Sequence, residues 1–125
     1  MEMKVLVVDN EKGFASILAD HLKMKGIDAG SVYSGRDALA AVSDFRPDVI
    51  ILDIQMPDMN GVEVLSRIRG SEPAVEVIVL TGNGSFDVGI ECMQLGAFDY
   101  LMKPVDLDQL LETIESAYLQ KLRGR

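Results

Sequence analysis

Four short apolar runs punctuate the chain: Val5-Leu6-Val7-Val8, Val49-Ile50-Ile51-Leu52, Val75 to Leu80 broken only by Glu76, and Tyr100-Leu101-Met102. They are built from good strand formers and do not alternate apolar with polar, which is the pattern of strands buried on both faces of a parallel sheet. A more polar run, Ile27 to Val32, predicts a further strand at the sheet edge. Between the runs, apolar residues recur at helical spacing. These stripes are Phe14, Ile17, Leu18, Leu22; Leu39, Val42, Phe45; Val62, Leu65, Ile68; Phe86, Ile90, Met93; and Leu107, Leu110, Leu111, Ile114, Tyr118. Each predicts a helix with one face on the core. Ser34 with Asp37, Asn60 with Glu63, and Asp106 with Gln109 stand three apart as capping pairs at helix starts, and Gly26, Gly70 and Gly96 stand where helices should stop.

The order is strand then helix, repeated five times. Right-handed crossovers then place helices on both faces of a parallel sheet. For five strands this predicts the order 2-1-3-4-5, the flavodoxin-like doubly wound arrangement. The chain reverses between strands 1 and 3, and ligands in such folds bind outside the carboxyl ends of the strands at that reversal.

With 125 residues, 48% of them hydrophobic, the chain suits one domain with a core large enough to fold without metal or disulfides. Acids outnumber bases 20 to 12, for a formal charge of -8, which argues against direct binding of nucleic acid through a neutralising basic surface. A lone cysteine, Cys92, excludes an internal disulfide, and a lone histidine, His21, excludes a multi-histidine metal site. No apolar run has the length of a membrane span, and Met1-Glu2-Met3-Lys4 leads directly into a strand, so the expectation is a soluble cytoplasmic protein. Residues 119–125, ending in Lys121-Leu122-Arg123-Gly124-Arg125, read either as a frayed tail or as the start of a linker.

The strand ends carry the candidate chemistry. Strand 1 runs into Asp9-Asn10-Glu11, strand 3 into Asp53, strand 4 into Thr81 and strand 5 into Lys103-Pro104. Helix capping is a rival reading for each alone: Asn10 is a good N-cap, Glu11 suits a first turn, and Thr81 can bond local backbone. Together they ask for more. Asp9 and Asp53 fall on neighbouring strands, and two carboxylates about 5 Å apart repel by roughly 3 kcal/mol at an effective dielectric of about 20. Lys103 offsets one of the three charges of Asp9, Glu11 and Asp53, leaving room for a divalent cation, and hard oxygen ligands favour Mg²⁺. A carboxylate beside Mg²⁺, with a lysine and a hydroxyl converging on it, has the parts for in-line phosphoryl transfer. Asp53 would be the nucleophile, and Lys103 and Thr81 would stabilise the equatorial oxygens.

At these residues the chain resembles the receiver domain of two-component response regulators, over nearly its whole length, 1–125. Val7-Val8-Asp9-Asn10-Glu11 is similar to the family's first acidic motif, and Pro47 to Gly61, which contains Leu52-Asp53-Ile54-Gln55-Met56-Pro57-Asp58-Met59-Asn60-Gly61, to its phosphoacceptor motif. Leu80-Thr81-Gly82 and Gly96-Ala97-Phe98-Asp99-Tyr100-Leu101-Met102-Lys103-Pro104 match the remaining two. The resemblance implies a switch that catalyses its own phosphorylation and dephosphorylation. Asp53 would be the phosphoacceptor, with Asp9, Asn10, Asp53 and the Gln55 carbonyl holding Mg²⁺. Thr81 would be the switch hydroxyl, Tyr100 the switch aromatic and Lys103 the phosphate partner, with a cis bond before Pro104. It further implies a histidine kinase or phosphotransfer protein as donor, and an output surface made by the fourth helix, fifth strand and fifth helix. That surface is also the candidate face for a homodimer and for a downstream output domain or protein. One departure stands out: Asn10 occupies a position where the family usually has a second acid, so Mg²⁺ should bind more weakly. Gln55 and Asn83, two after the acceptor and two after the threonine, are uncharged amides placed to tune the lifetime of the phosphate.

Three other functions compete. A flavin or nucleotide carrier on the same fold should offer Gly, Ser or Thr to phosphate in its first loop, whereas Asp9-Asn10-Glu11 offers anions. A hydrolase with an aspartyl nucleophile should carry a second acid two residues later, where Gln55 stands. A binding module that works without phosphorylation is motivated by Asn10. Bland readings suffice elsewhere. Met24, Met56, Met59, Met93 and Met102 read as filler, Cys92 as packing, and Gly82-Asn83-Gly84 lacks the lysine and Ser/Thr of a nucleotide loop.

Overall fold

The computed structural model describes residues 3–82 and 86–124. The elements run β1 (Lys4–Val8), α1 (Lys12–Met24), β2 (Asp28–Val32), α2 (Gly35–Phe45), β3 (Val49–Asp53), α3 (Gly61–Ser71), β4 (Glu76–Thr81), α4 (Phe86–Gln94), β5 (Asp99–Met102) and α5 (Leu107–Leu122). The strands form one parallel sheet in the order β2-β1-β3-β4-β5, as the alternation of runs and stripes predicts. Strand residues alternate between two cores. Val5, Val7, Val49, Ile51, Ile78 and Leu80 meet α1 and α5, while Leu6, Val8, Ile50, Leu52, Val77 and Val79 meet α2, α3 and α4. β2 lies at the edge with only Ala29 buried.

Local chemistry sets most boundaries. The Ser34 hydroxyl accepts from Asp37 N at 3.1 Å, Asn60 from Val62 N at 2.8 Å, and Asp106 from Asp108 N at 2.9 Å. Gly26 and Gly96 end their helices at φ of 85° and 102°. Three expectations are corrected. Gly70 lies inside α3, which ends at Ser71 with Glu72 as its cap. The cap of α1 is Glu11, not Asn10, and Glu11 makes no capping bond through its side chain. The helical stripe on α4 faces solvent: Phe86 is 58%, Ile90 41% and Met93 40% exposed, while Gly89 and Cys92 are the buried positions. At the end of the chain, α5 continues to Leu122, and Lys121 pairs with Asp48. Residues 119–122 are therefore helix rather than frayed tail. No helix among the described residues is long and apolar enough to cross a membrane.

Candidate functional site

Asp53 is the last residue of β3, Asp9 follows β1, Thr81 ends β4 and Lys103 follows β5, so four sequential neighbours of the parallel sheet deliver one cluster at its carboxyl edge. Asp9 is 0% and Asp53 4% exposed, and a fully buried charge survives only with partners. The ammonium of Lys103 supplies them, lying 2.9 Å from Asp9 Oδ2, 3.6 Å from Asp53 Oδ2 and 3.4 Å from Glu11 Oε1. Backbone donors complete the carboxylates: Glu11 N gives to Asp9 Oδ1 at 2.9 Å and Gln55 N to Asp53 Oδ1 at 3.1 Å. Lys103 is itself fixed from below and the side. Its backbone N–H donates to Thr81 O at 2.8 Å, the Lys103-Pro104 bond is cis, and the ring of Phe14 lies 5.1 Å from its ammonium. The hydroxyl of Thr81 is buried with no hydrogen-bond partner among the described residues, an unmet polar group beside the acids.

Electrostatics follow from this packing. Burial pushes the Asp53 carboxyl above its ordinary range and the charge of Asp9 adds to the rise, against the Gln55 N–H and Lys103, which lower it. Burial also pulls the Lys103 ammonium down, but the hydrogen bond to Asp9 and the charges around it outweigh that, and its pKa is raised overall. The donors are hard oxygens, which fit Mg²⁺. Asp9 and Asp53 could offer carboxylates to such an ion, Gln55 its main-chain carbonyl and Asn10 an amide oxygen. Among the described residues no three His, Cys, Asp or Glu side chains gather into a metal-holding group.

The loop from Ile54 to Asn60 closes tightly beside the acceptor. Gln55 and Asn60 form an antiparallel bridge, and Gly61 N donates to Ile54 O at 3.3 Å. Asp58, which sequence reasoning assigned no role, pins this loop to α2. Its two carboxylate oxygens accept from Gly35 N at 3.0 Å and Arg36 N at 3.1 Å, the open donors of a helix start, and those bonds lower its pKa. The contribution of a depressed carboxyl is complete above the ordinary carboxylate range and is lost as pH falls through the lower folded value. Asp58→Asn is therefore expected to reduce stability at neutral pH and to flatten the acid limb, measured as urea midpoints across an acid pH series. An acid limb identical to that of the wild type would show that the clasp contributes nothing.

The remaining candidate residues lie near this centre with different exposure. Asn10 and Gln55 are exposed. The side chain of Gln55 rests against Gly82, where an added Cβ would lie 2.9 Å from its Oε1. Asn83 lies outside the described residues. Tyr100 is half-buried on the α4 side of β5, its ring edge-on to Phe86 with centroids 6.2 Å apart and planes at 72°.

A family model described as the response regulator receiver domain matches residues 5–115. The transcriptional regulatory protein ZraR of Salmonella typhimurium is 36% identical over 116 residues, covering 93% of this chain and 26% of that protein. The luminescence regulatory protein LuxO of Vibrio campbellii is 37% identical over 111 residues, covering 89% of this chain and 24% of that protein. A solved response regulator receiver domain protein from Clostridium thermocellum superposes with a TM-score of 0.93 at 32% identity, covering 98% of this chain and 99% of that one. The chain thus spans about a quarter of the length of the curated relatives it matches.

Proposed function

Because the chain belongs to the family of response regulator receiver domains, signalling phosphoacceptors of two-component systems, we propose that it takes a phosphoryl group onto Asp53 from a histidine kinase or phosphotransfer protein. The observation that carries this reading is the buried Asp9–Lys103–Asp53 cluster, with an unsatisfied Thr81 hydroxyl beside it. An oxygen of Asp53 attacks phosphorus in line, the bond from phosphorus to the donor nitrogen breaks, and its electron pair leaves with the imidazole. Lys103 turns from Asp53 to the transferred group, and the Thr81 hydroxyl donates a hydrogen bond to a phosphoryl oxygen. Mg²⁺, held by Asp9, Asn10, Asp53 and the Gln55 carbonyl, would supply the positive charge that two acids and one lysine leave missing. Hydrolysis of the aspartyl phosphate returns the resting state. The exposed amide of Gln55, together with Asn83, governs the approach of water.

The charge becomes a signal through Thr81 and Tyr100. A phosphoryl group brings close to two negative charges beside both Thr81 and Lys103, and the resulting movement re-forms the surface of α4, β5 and α5. Exposed Phe86, Ile90 and Met93 on α4 and Met102 on β5 support that surface as the output face, whether for a second copy or a downstream domain. The setting proposed is the cytoplasm.

Beryllofluoride with Mg²⁺, standing in for the phosphoryl group, tests the reading. It is expected to bind the wild type but not Asp53→Ala, and to shift amide NMR signals of residues 81–104 more than those of residues 27–45. Binding that survives Asp53→Ala would remove Asp53 from the centre. No binding at all would favour a module that works without phosphorylation. Largest distant shifts in residues 27–45, or an undiminished response in Thr81→Ala, would refute the switching route.

A further inference from the structure

We propose that Gly89 is the positioning residue of the switch: lacking a side chain, it seats the Tyr100 ring directly on the backbone of α4, so that ring rotation and helix displacement become one event. This rests on the reading of Tyr100 as the switch aromatic. Gly89 is buried in the middle of α4, and a Cβ built there would lie 2.5, 2.6 and 2.8 Å from Cδ2, Cε2 and Cγ of Tyr100. Real Cβ atoms do not approach so closely, so the ring occupies the space a side chain would take. Phe86, one turn earlier, closes over the ring edge. Glycine is the poorest helix former after proline, so local preference opposes this residue at this place and the close approach of the ring explains it.

The seat is one of the few buried contacts of α4. Only Gly89 and Cys92 of this helix are buried, with Val88 half-buried, while Phe86, Ile90 and Met93 turn to solvent. The helix thus rests on a narrow strip of small side chains, with the Tyr100 ring of β5 against Gly89. A ring that leaves the seat removes support from α4. A helix that settles closer to the sheet must expel the ring. The two positions are therefore mutually exclusive states of one packed contact rather than independent adjustments.

Gly89→Ala has two opposed effects that the ring separates. Alanine favours helix and raises stability wherever space allows, but here its methyl falls on Tyr100. The experiment compares thermal unfolding of the wild type, Gly89→Ala, Tyr100→Ala and the double variant, and records ¹⁹F NMR of 3-fluorotyrosine protein with and without beryllofluoride and Mg²⁺. Tyr33 and Tyr118 serve as internal references. Gly89→Ala is expected to lower Tm when Tyr100 is present and to raise it in the Tyr100→Ala background. It should move the Tyr100 resonance toward that of free tyrosine while the other two stay, and abolish most of the beryllofluoride response of that resonance. An equal rise of Tm in both backgrounds, or an unmoved Tyr100 resonance, would overturn the proposal. If beryllofluoride binds the wild type yet leaves its Tyr100 resonance unchanged while the sign of the Tm effect still reverses, the reading of Tyr100 as switch fails. The seat is then packing only, and the positioning role falls with it.

Discussion

Lys103→Met is expected to lose about 3 kcal/mol of stability at neutral pH without divalent cations, the low end of what removing one partner of a buried ion pair costs. The ammonium stands 2.9 Å from one buried carboxylate and 3.6 Å from another, and no other described cation is in salt-bridge range of either. Methionine fills similar volume, so the loss is electrostatic. Its size sets it apart from the surface pair Arg67–Glu63, where removal should change stability by less than about 1 kcal/mol. Two conditions should restore the variant. Acid should do so by protonating Asp53, whose carboxyl is already held above its ordinary range by burial, and Mg²⁺ by replacing the lost charge. Urea unfolding of both proteins, with and without Mg²⁺ and across pH, reads this directly. A deficit that neither acid nor Mg²⁺ reduces would mean that Lys103 acts by packing rather than charge.

Gly61→Ala should be of similar size, about 3 kcal/mol, for a steric reason. The first residue of α3 presses on the backbone just after the acceptor, and a Cβ there would lie 2.5 Å from Ile54 O, 2.6 Å from Ile54 Cα and 2.8 Å from Ile54 C. All three are main-chain atoms, which cannot swing aside as a side-chain tip does. Better helix propensity offsets at most about 1 kcal/mol of this, whereas overpacking against backbone costs up to about 3 kcal/mol or more. The loop must open instead, breaking the Gln55–Asn60 bridge and displacing the Gln55 carbonyl assigned to the metal. Urea midpoints give the stability and amide shifts of residues 54–60 the displacement. Stability within about 0.5 kcal/mol of the wild type, the range of an ordinary surface change, would contradict this packing.

The sheet and the acid cluster were legible in the sequence for a common reason. Strands covered on both faces must be apolar throughout, so Val49 to Leu52 announces itself, and a carboxylate placed at the end of such a run falls at the sheet edge. Asp9, Asp53, Thr81 and Lys103 were readable in this way. What stayed hidden depends on partners distant in sequence. Asp58 meets backbone donors 22 and 23 residues earlier, and nothing in its own neighbourhood signals a helix start there. Phe14 belongs to an ordinary apolar stripe, and only the docking of α1 on β1 and β2, with Lys103 reaching across from β5 to Asp9, brings its ring to the ammonium. On α4 the periodicity of Phe86, Ile90 and Met93 was real but pointed outward, because the buried side is made of small residues filled by Tyr100. A search for large apolar side chains misses an interface made of a glycine and a ring from another element.

Phosphoryl transfer to Asp53 is read out by intact and peptide mass spectrometry after incubation with a small-molecule phosphodonor and Mg²⁺. The expected result is the mass of one added phosphoryl group, located on the peptide that holds Asp53, absent without Mg²⁺ and absent in Asp53→Asn. Undiminished modification of Asp53→Asn, or a phosphoryl group located elsewhere, would contradict it.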